Sequence, residues 1–193
     1  MSSDEQTTKT KILIAARDLL EGGPSRKIRM SDIAKAAGIS RQALYLHYAN
    51  RAELLVAVTS WVDSQSLTLA TAPDGAKTGR ARLMQLIIAC GNAIPQTYGV
   101  GKALLDMIDS DAEACAAWEA RSATLRAQSE QAIEALARDG DLHETLTIKR
   151  ATDLLGALLS LRTWEHLRLD CGWTQAEYIT HIQDLARRSL LSG

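Results

Sequence analysis

The stretch Met30–Asn50 constrains the fold of this chain more than any other part of it. It reads Met-Ser-Asp-Ile-Ala-Lys-Ala-Ala-Gly-Ile-Ser-Arg-Gln-Ala-Leu-Tyr-Leu-His-Tyr-Ala-Asn. The pattern is two short helical segments broken at Gly38. The first, about Ser31 to Ala37, turns Ile33, Ala34 and Ala37 inward. The second, about Arg41 to Tyr48, holds Arg41, Gln42, Tyr45 and His47 on its outer side. Two helices joined by a tight turn containing Gly form the helix-turn-helix pattern, which lays its second helix in the major groove of DNA.

The rest of the chain also reads helical. A first helix over about Thr7 to Leu20 carries Ile12, Ala15, Ala16 and Leu19 on one face, and Gly22-Gly23-Pro24 ends it. Asn50 with Glu53 suits a capping box at the start of a fourth helix running to about Ala70. Ala72-Pro73-Asp74-Gly75 then breaks the pattern as a linker. A helix over about Gly79 to Ala93 is expected to stop before Pro95. Gly99 and Gly101 bracket a further break before a short helix near Lys102 to Ile108. A long helix spans about Asp111 to Arg138. Asp141 with Glu144 again suits a capping box, opening a helix to about Leu169. A last helix covers about Thr174 to Leu191, the two being split at Gly172. No segment alternates as a strand does, so the fold class expected is all-α. The organisation expected is a helix-turn-helix head of three helices over residues 1–52 and a helical body over residues 53–193.

Bulk properties narrow the function classes. At 193 residues with 46% hydrophobic content the chain can bury a real core. No apolar run approaches the ~18 residues of a membrane span. The polar start, Met1 to Thr10, suggests neither a signal peptide nor an anchor, so a cytoplasmic protein without a membrane partner is expected. The net charge of -1 hides a split. Met1 to Arg51 holds 9 Lys and Arg against 5 Asp and Glu, and the remainder 13 against 18. A positive head on a negative body suits a chain whose head approaches phosphates.

Three groups of residues carry a family resemblance. They are Asp32-Ile33-Ala34 with Ala37-Gly38-Ile39-Ser40, Leu44-Tyr45-Leu46-His47-Tyr48, and Asn50-Arg51-Ala52-Glu53-Leu54-Leu55. Together, from about Lys11 to Val58, they resemble the TetR family of bacterial transcriptional regulators. Beyond Trp61 the likeness is one of length and helix order. The resemblance implies a DNA-binding head, a connecting fourth helix and a helical body that dimerises through its last two helices. It also implies a repressor released from its operator by a small-molecule effector. By residue chemistry, Arg41 and Gln42 open the reading helix, where Arg pairs with guanine and Gln with adenine. Tyr45 and His47 match family positions that bond phosphate, and Arg51 stands where the family usually has Lys. Ser31, Ser40 and Ala43 complete the expected DNA-contacting set, Ala43 as a contact to a thymine methyl. Tyr48 replaces a usual Phe and is expected to pack into the head's core.

In the body, Trp61, Met84, Ile88, Met107, Trp118 and Trp164 are candidates for an apolar ligand pocket, with Gln65, Asn92 and His166 as polar partners. Apolar residues at helical spacing are more often plain core than ligand contacts. Leu154, Leu158 and Leu161 on the penultimate helix, with Ile182 and Leu185 on the last, suit a two-fold four-helix bundle between subunits. One subunit covering both faces itself is the other reading. Cys90, Cys115 and Cys171 are expected to be buried, inert thiols. No nucleophile–base pair, metal-ligand spacing or phosphate-cradling loop is visible in the sequence, so neither a catalytic residue, a metal nor a cofactor is assigned. A helical enzyme or a protein-interaction adaptor stays open as a rival reading.

Overall fold

A computed structural model describes residues 3–22, 28–67 and 78–192. The expected breaks at Gly23-Pro24 and at 72–75 lie outside these residues. The described helices are α1 (Ser3–Glu21), α2 (Met30–Ala36), α3 (Arg41–His47), α4 (Arg51–Leu67), α5 (Gly79–Met107), α6 (Ala112–Arg138), α7 (Ile148–Leu158), α8 (Leu161–Glu165) and α9 (Gln175–Leu190). A π-helical turn, His166–Asp170, follows α8 directly. Among the described residues the only extended pairing is an isolated bridge between Leu142 and Leu191. The expected all-α class therefore holds.

The chain packs as two compact units. The first comprises Met1–Ser64 with Thr97–Arg121, and the second Gln65–Gln96 with Ser122–Gly193. The core of the first is continuous from Ile12, Leu13, Ala16 and Leu20 on α1 through Ile33, Leu44 and Tyr48 to Leu54, Leu55 and Val58 on α4. Leu104, Met107, Ala114 and Ala117 close it. Tyr48 sits in this core as expected, and burial, then the Glu53 carboxylate, pushes its hydroxyl pKa up. Arg121 clamps the unit by donating to both oxygens of Asp63, at 3.1 and 3.0 Å, and to the Thr97 hydroxyl at 2.7 Å.

Three features differ from the sequence expectation. First, α5 does not stop before Pro95 but runs through it to Met107. Proline leaves the carbonyl four residues earlier without its helical donor. That carbonyl belongs to Gly91, and Gln175 Nε2 donates to it at 2.7 Å. The same Gln175 accepts from Trp164 Nε1 at 3.0 Å and Arg168 Nε at 3.2 Å. Gly91 also lets α9 come close, since a Cβ there would lie 2.7 Å from Ile179 Cγ1. Second, the expected helix from Glu144 to Leu169 starts later and breaks. Its cap is Thr147, not Asp141, because His143 N–H and the Asp141 carbonyl pair with the end of the chain at Leu190 and Ser192. Third, Ser160 interrupts it, its Oγ accepting from Thr163 N–H at 3.1 Å to restart the chain as α8.

Candidate nucleic-acid interface

The turn between α2 and α3 is set by local chemistry. Gly38 adopts φ 68°, the left-handed region that side chains avoid. The Gly38 N–H donates to the Lys35 carbonyl and the Ile39 N–H to the Ala34 carbonyl, closing α2 with a Schellman motif. Asp32 accepts from the Arg29 N–H at 3.1 Å, favoured also by its place at the N-terminus of α2. Ser40 is the N-cap of α3, its Oγ accepting from the Ala43 N–H at 3.0 Å. Asn50 and Glu53 then cap α4 as expected, except that Glu53 reaches the Ala49 N–H and not that of Asn50.

These anchors leave α3 held by one buried side chain, Leu44, with most of its surface turned to solvent. Arg41 and Gln42 are exposed, Ala43 and His47 half-buried, and Ser31 and Ser40 exposed nearby in sequence. Leu46 is 83% exposed, more than any other large apolar residue described. Arg41 and Tyr45 act as one unit. The Arg41 guanidinium lies over the Tyr45 ring, 5.4 Å from its centroid, and donates to the Tyr45 hydroxyl at 3.2 Å. Stacking of this kind fixes a flexible cation at low entropic cost while leaving further N–H donors free to point outward.

Arg51 is placed against expectation. It is 7% exposed and turned inward. Its Nε donates to the Ile28 carbonyl at 2.6 Å, and its Nη1 to Asp111 at 2.7 Å and Glu113 at 3.0 Å. Asp111 in turn caps α6, accepting from the Glu113 and Ala114 N–H groups. In this conformation Arg51 is a buried joint and not a phosphate contact. With the Asp111 side chain itself buried, leaving its carboxylate unpaired is costly, and Arg51 supplies the opposite charge. Asp111 and Glu113 lie sixty residues beyond the motif that holds Arg51, at the start of α6.

The body candidates scatter. In the first unit Met107 belongs to the core cluster, and Trp61 and Trp118 pack against it half-buried. In the second, Trp164 is buried and bonded to Gln175, Met84 is half-buried, and Gln65, Ile88 and Asn92 are exposed. Of the proposed subunit contacts, Leu161 and Ile182 are buried within the chain itself and have no surface to offer a partner. Alternate faces of an amphipathic helix cannot both point outward, and these two lie on the inner face. Leu154 and Leu185 are exposed, at 44% and 47%, and Leu158 is half-buried. The cysteines split also: Cys90 is buried, Cys115 half-buried and Cys171 exposed, which corrects the expectation of three buried thiols. Gln175 was missed. The signal for it was Pro95 itself, since a proline inside a helix leaves a carbonyl that needs a side-chain donor.

No described helix is long and apolar enough to cross a membrane. Among the described residues no cluster of His, Cys, Asp or Glu is arranged to hold a metal ion.

Residues 12–58 match the family described as bacterial regulatory proteins, tetR family. The transcriptional regulator EthR of Mycobacterium tuberculosis is 34% identical over 95 residues, covering 48% of this chain and 43% of that one. The nucleoid occlusion factor SlmA of a Marinomonas species is 29% identical over 68 residues, 35% of this chain and 34% of that one. The chain thus spans less than half the length of these curated relatives. Solved structures match throughout. NalD of Pseudomonas aeruginosa, the secondary repressor of the MexAB-OprM multidrug efflux pump, is 25% identical. It matches with a TM-score of 0.74 over 98% of each chain. A TetR family regulator from Marinobacter aquaeolei shares the fold at 20% identity, TM-score 0.67, over 100% of each chain.

Proposed function

We propose that this chain, which belongs to the TetR family of bacterial regulatory proteins, is a DNA-binding transcriptional regulator that reads its operator with α3. The observation that carries the reading is the exposed Arg41–Tyr45 unit, aimed outward from a helix fixed by the Gly38 turn and the Ser40 cap. Arg41 and Gln42 read base edges, while Tyr45, His47, Ser31 and Ser40 bond phosphate and set orientation. Residues 1–52 form the DNA-binding part and 53–193 the effector-binding and dimerisation part.

The active species is a homodimer, placing two α3 helices in successive major grooves about 34–36 Å apart on a near-palindromic site. The exposed Leu154 and Leu185, with Leu158, form the subunit contact. The protein acts in the cytoplasm as a repressor and catalyses no reaction. A small-molecule effector releases it by preferring the conformation that misplaces the heads, and it shifts the equilibrium only by its differential affinity for the two states. Two buried polar atoms in the second unit, Gln85 Oε1 and Ser129 Oγ, have no hydrogen-bond partner among the described residues. A ligand bearing a hydroxyl or amine group supplies one.

The test is a mobility shift with the DNA upstream of the protein's own gene, comparing the wild-type chain with Arg41→Ala. Sequence-specific retardation that the variant loses supports the reading. Equal affinity of both proteins for that DNA and for an unrelated duplex rejects it.

A further inference from the structure

The second unit holds a group of side chains that has no part in the DNA reading proposed above. The π-helical turn His166–Asp170 closes with the Cys171 N–H donating to the His166 carbonyl at 2.9 Å. A bond of this i to i+5 kind brings residue 171 back alongside residue 166. Cys171 Sγ consequently lies 3.6 Å from His166 Nε2. Asp170, one residue earlier, reaches the other ring nitrogen, its Oδ2 standing 3.1 Å from His166 Nδ1. A nucleophile within reach of a base that a third group orients is the working signature of an activated thiol. Turns of this rare class also concentrate at functional sites.

We propose that Cys171, His166 and Asp170 form a surface thiol site that adds soft electrophiles of the α,β-unsaturated carbonyl class. Asp170 accepts the Nδ1–H of His166 and so turns the Nε2 lone pair toward the sulfur. Nε2 takes the thiol proton as the sulfur attacks the β-carbon of the electrophile. A sulfur–carbon bond forms, and the carbon–carbon π electrons move to the carbonyl oxygen as an enolate. The proton held on Nε2 then returns to the α-carbon. The net change is addition of S–H across the double bond, with nothing oxidised and no group leaving.

Access and contrast both favour this site. The side chains of His166 and Asp170 are 66% and 67% exposed, and Cys171 is exposed. Leu169, on the same turn and also exposed, offers apolar surface for the electrophile's carbon chain. Two other basic side chains of the second unit have partners of their own. Arg168 donates to Gln175, and His181 rests against the Trp173 ring, 5.0 Å between centroids. Cys115 has a neighbour at the same 3.6 Å, but that neighbour is the Glu119 carboxylate. Partial burial and then Glu119 push the Cys115 thiol pKa up, so that its proton stays on sulfur. Cys90 is buried. The chain therefore contains its own control: two thiols with a partner at one distance, one partner a base and the other an anion.

The experiment is alkylation of the full chain with substoichiometric N-ethylmaleimide, followed by peptide mass mapping of all three cysteines over time. Cys171 reacts first, about tenfold or more ahead of Cys115. His166→Ala slows Cys171 about tenfold without changing the rate at Cys115, and Asp170→Asn slows it to a smaller extent. Imidazole added to the buffer restores part of the rate at Cys171 in the His166→Ala protein. Because His166 is exposed the variant keeps its fold, which circular dichroism checks. An unchanged Cys171 rate in His166→Ala overturns the proposal, as does an equal rate in the native and urea-unfolded chain. Neither result depends on whether the protein binds DNA.

Discussion

Arg41 and Arg51 both open a helix, ten residues apart in the same motif, and they meet opposite fates. Arg41 opens α3, stacks on Tyr45 and faces solvent. Arg51 opens α4 and disappears against Ile28, Asp111 and Glu113. Neither residue type nor position on the helix distinguishes them. Arg41 keeps a partner four residues away on its own helix, and so stays on the surface. Arg51 finds carboxylates sixty residues on, at the start of another helix, and so becomes part of the interior. A local partner leaves a cation free to meet a ligand, whereas a distant buried one commits it to holding elements together.

The largest test of that contrast removes the distant partner. Asp111→Ala strands the Arg51 charge inside the first unit and costs about 3–5 kcal/mol, seen as a large fall in thermal midpoint. Glu113 retains part of the pairing, which favours the lower end. Arg51→Met combined with Asp111→Leu costs much less, since no charge is then left buried. A loss below ~1 kcal/mol for Asp111→Ala would break the comparison at its stronger end.

Arg41→Ala tests the other arm. It lowers affinity for the operator by about 1–3 kcal/mol and relaxes preference at one base pair, while stability moves by no more than about 0.5 kcal/mol. Binding measured across operator variants, beside a melting curve, separates the two effects. A variant that melts early and keeps its base preference would put Arg41 in the same class as Arg51.

Gln175 sharpens the idea that a distant partner decides a local structure. Gln175→Ala leaves the Gly91 carbonyl without a donor and destabilises by about 1–3 kcal/mol. Adding Pro95→Ala restores part of this, because residue 95 then supplies its own N–H to Gly91. Denaturant curves for the two single variants and the double variant report the coupling; additive losses would remove Gln175 from this role.

Ser40→Ala costs about 1 kcal/mol through the lost cap of α3, with DNA affinity falling alongside. The smallest effect is on acid stability. Glu177 has its pKa lowered by the Thr174 backbone N–H first and the Thr174 hydroxyl second. A carboxylate held low in the folded chain adds stability above its unfolded pKa and loses it as pH falls through the folded value. Glu177→Gln therefore flattens the acid side of a melting-temperature profile, and an unaltered slope would discount the cap.

Much of the head was legible because its instructions are short-range. Gly38, Ser40, Asn50 and Glu53 each act within five residues, and all appear at the expected helix ends. The alternation of buried Ile33, Leu44 and Tyr48 with exposed Arg41 and Gln42 follows from helical period alone. The second unit was harder to read for the converse reason. Its break at Ser160 competes with an unbroken apolar run, and its continuity through Pro95 depends on a side chain eighty residues later. Leu161 and Ile182 have the same composition cues as Leu154 and Leu185, and only packing sorted inner from outer.

The amino-acid order by itself determined the all-helical class, the helix-turn-helix and the outward side of α3, since each rests on backbone preferences and periodicity within a few turns. Tertiary structure alone decided that Arg51 is a joint, that α5 survives its proline and that Cys171 meets an imidazole. The first two are long-range partnerships that a buried charge or an orphaned carbonyl requires. The third comes from a π turn, a backbone geometry that residue types do not announce and that brings residue 171 back beside residue 166.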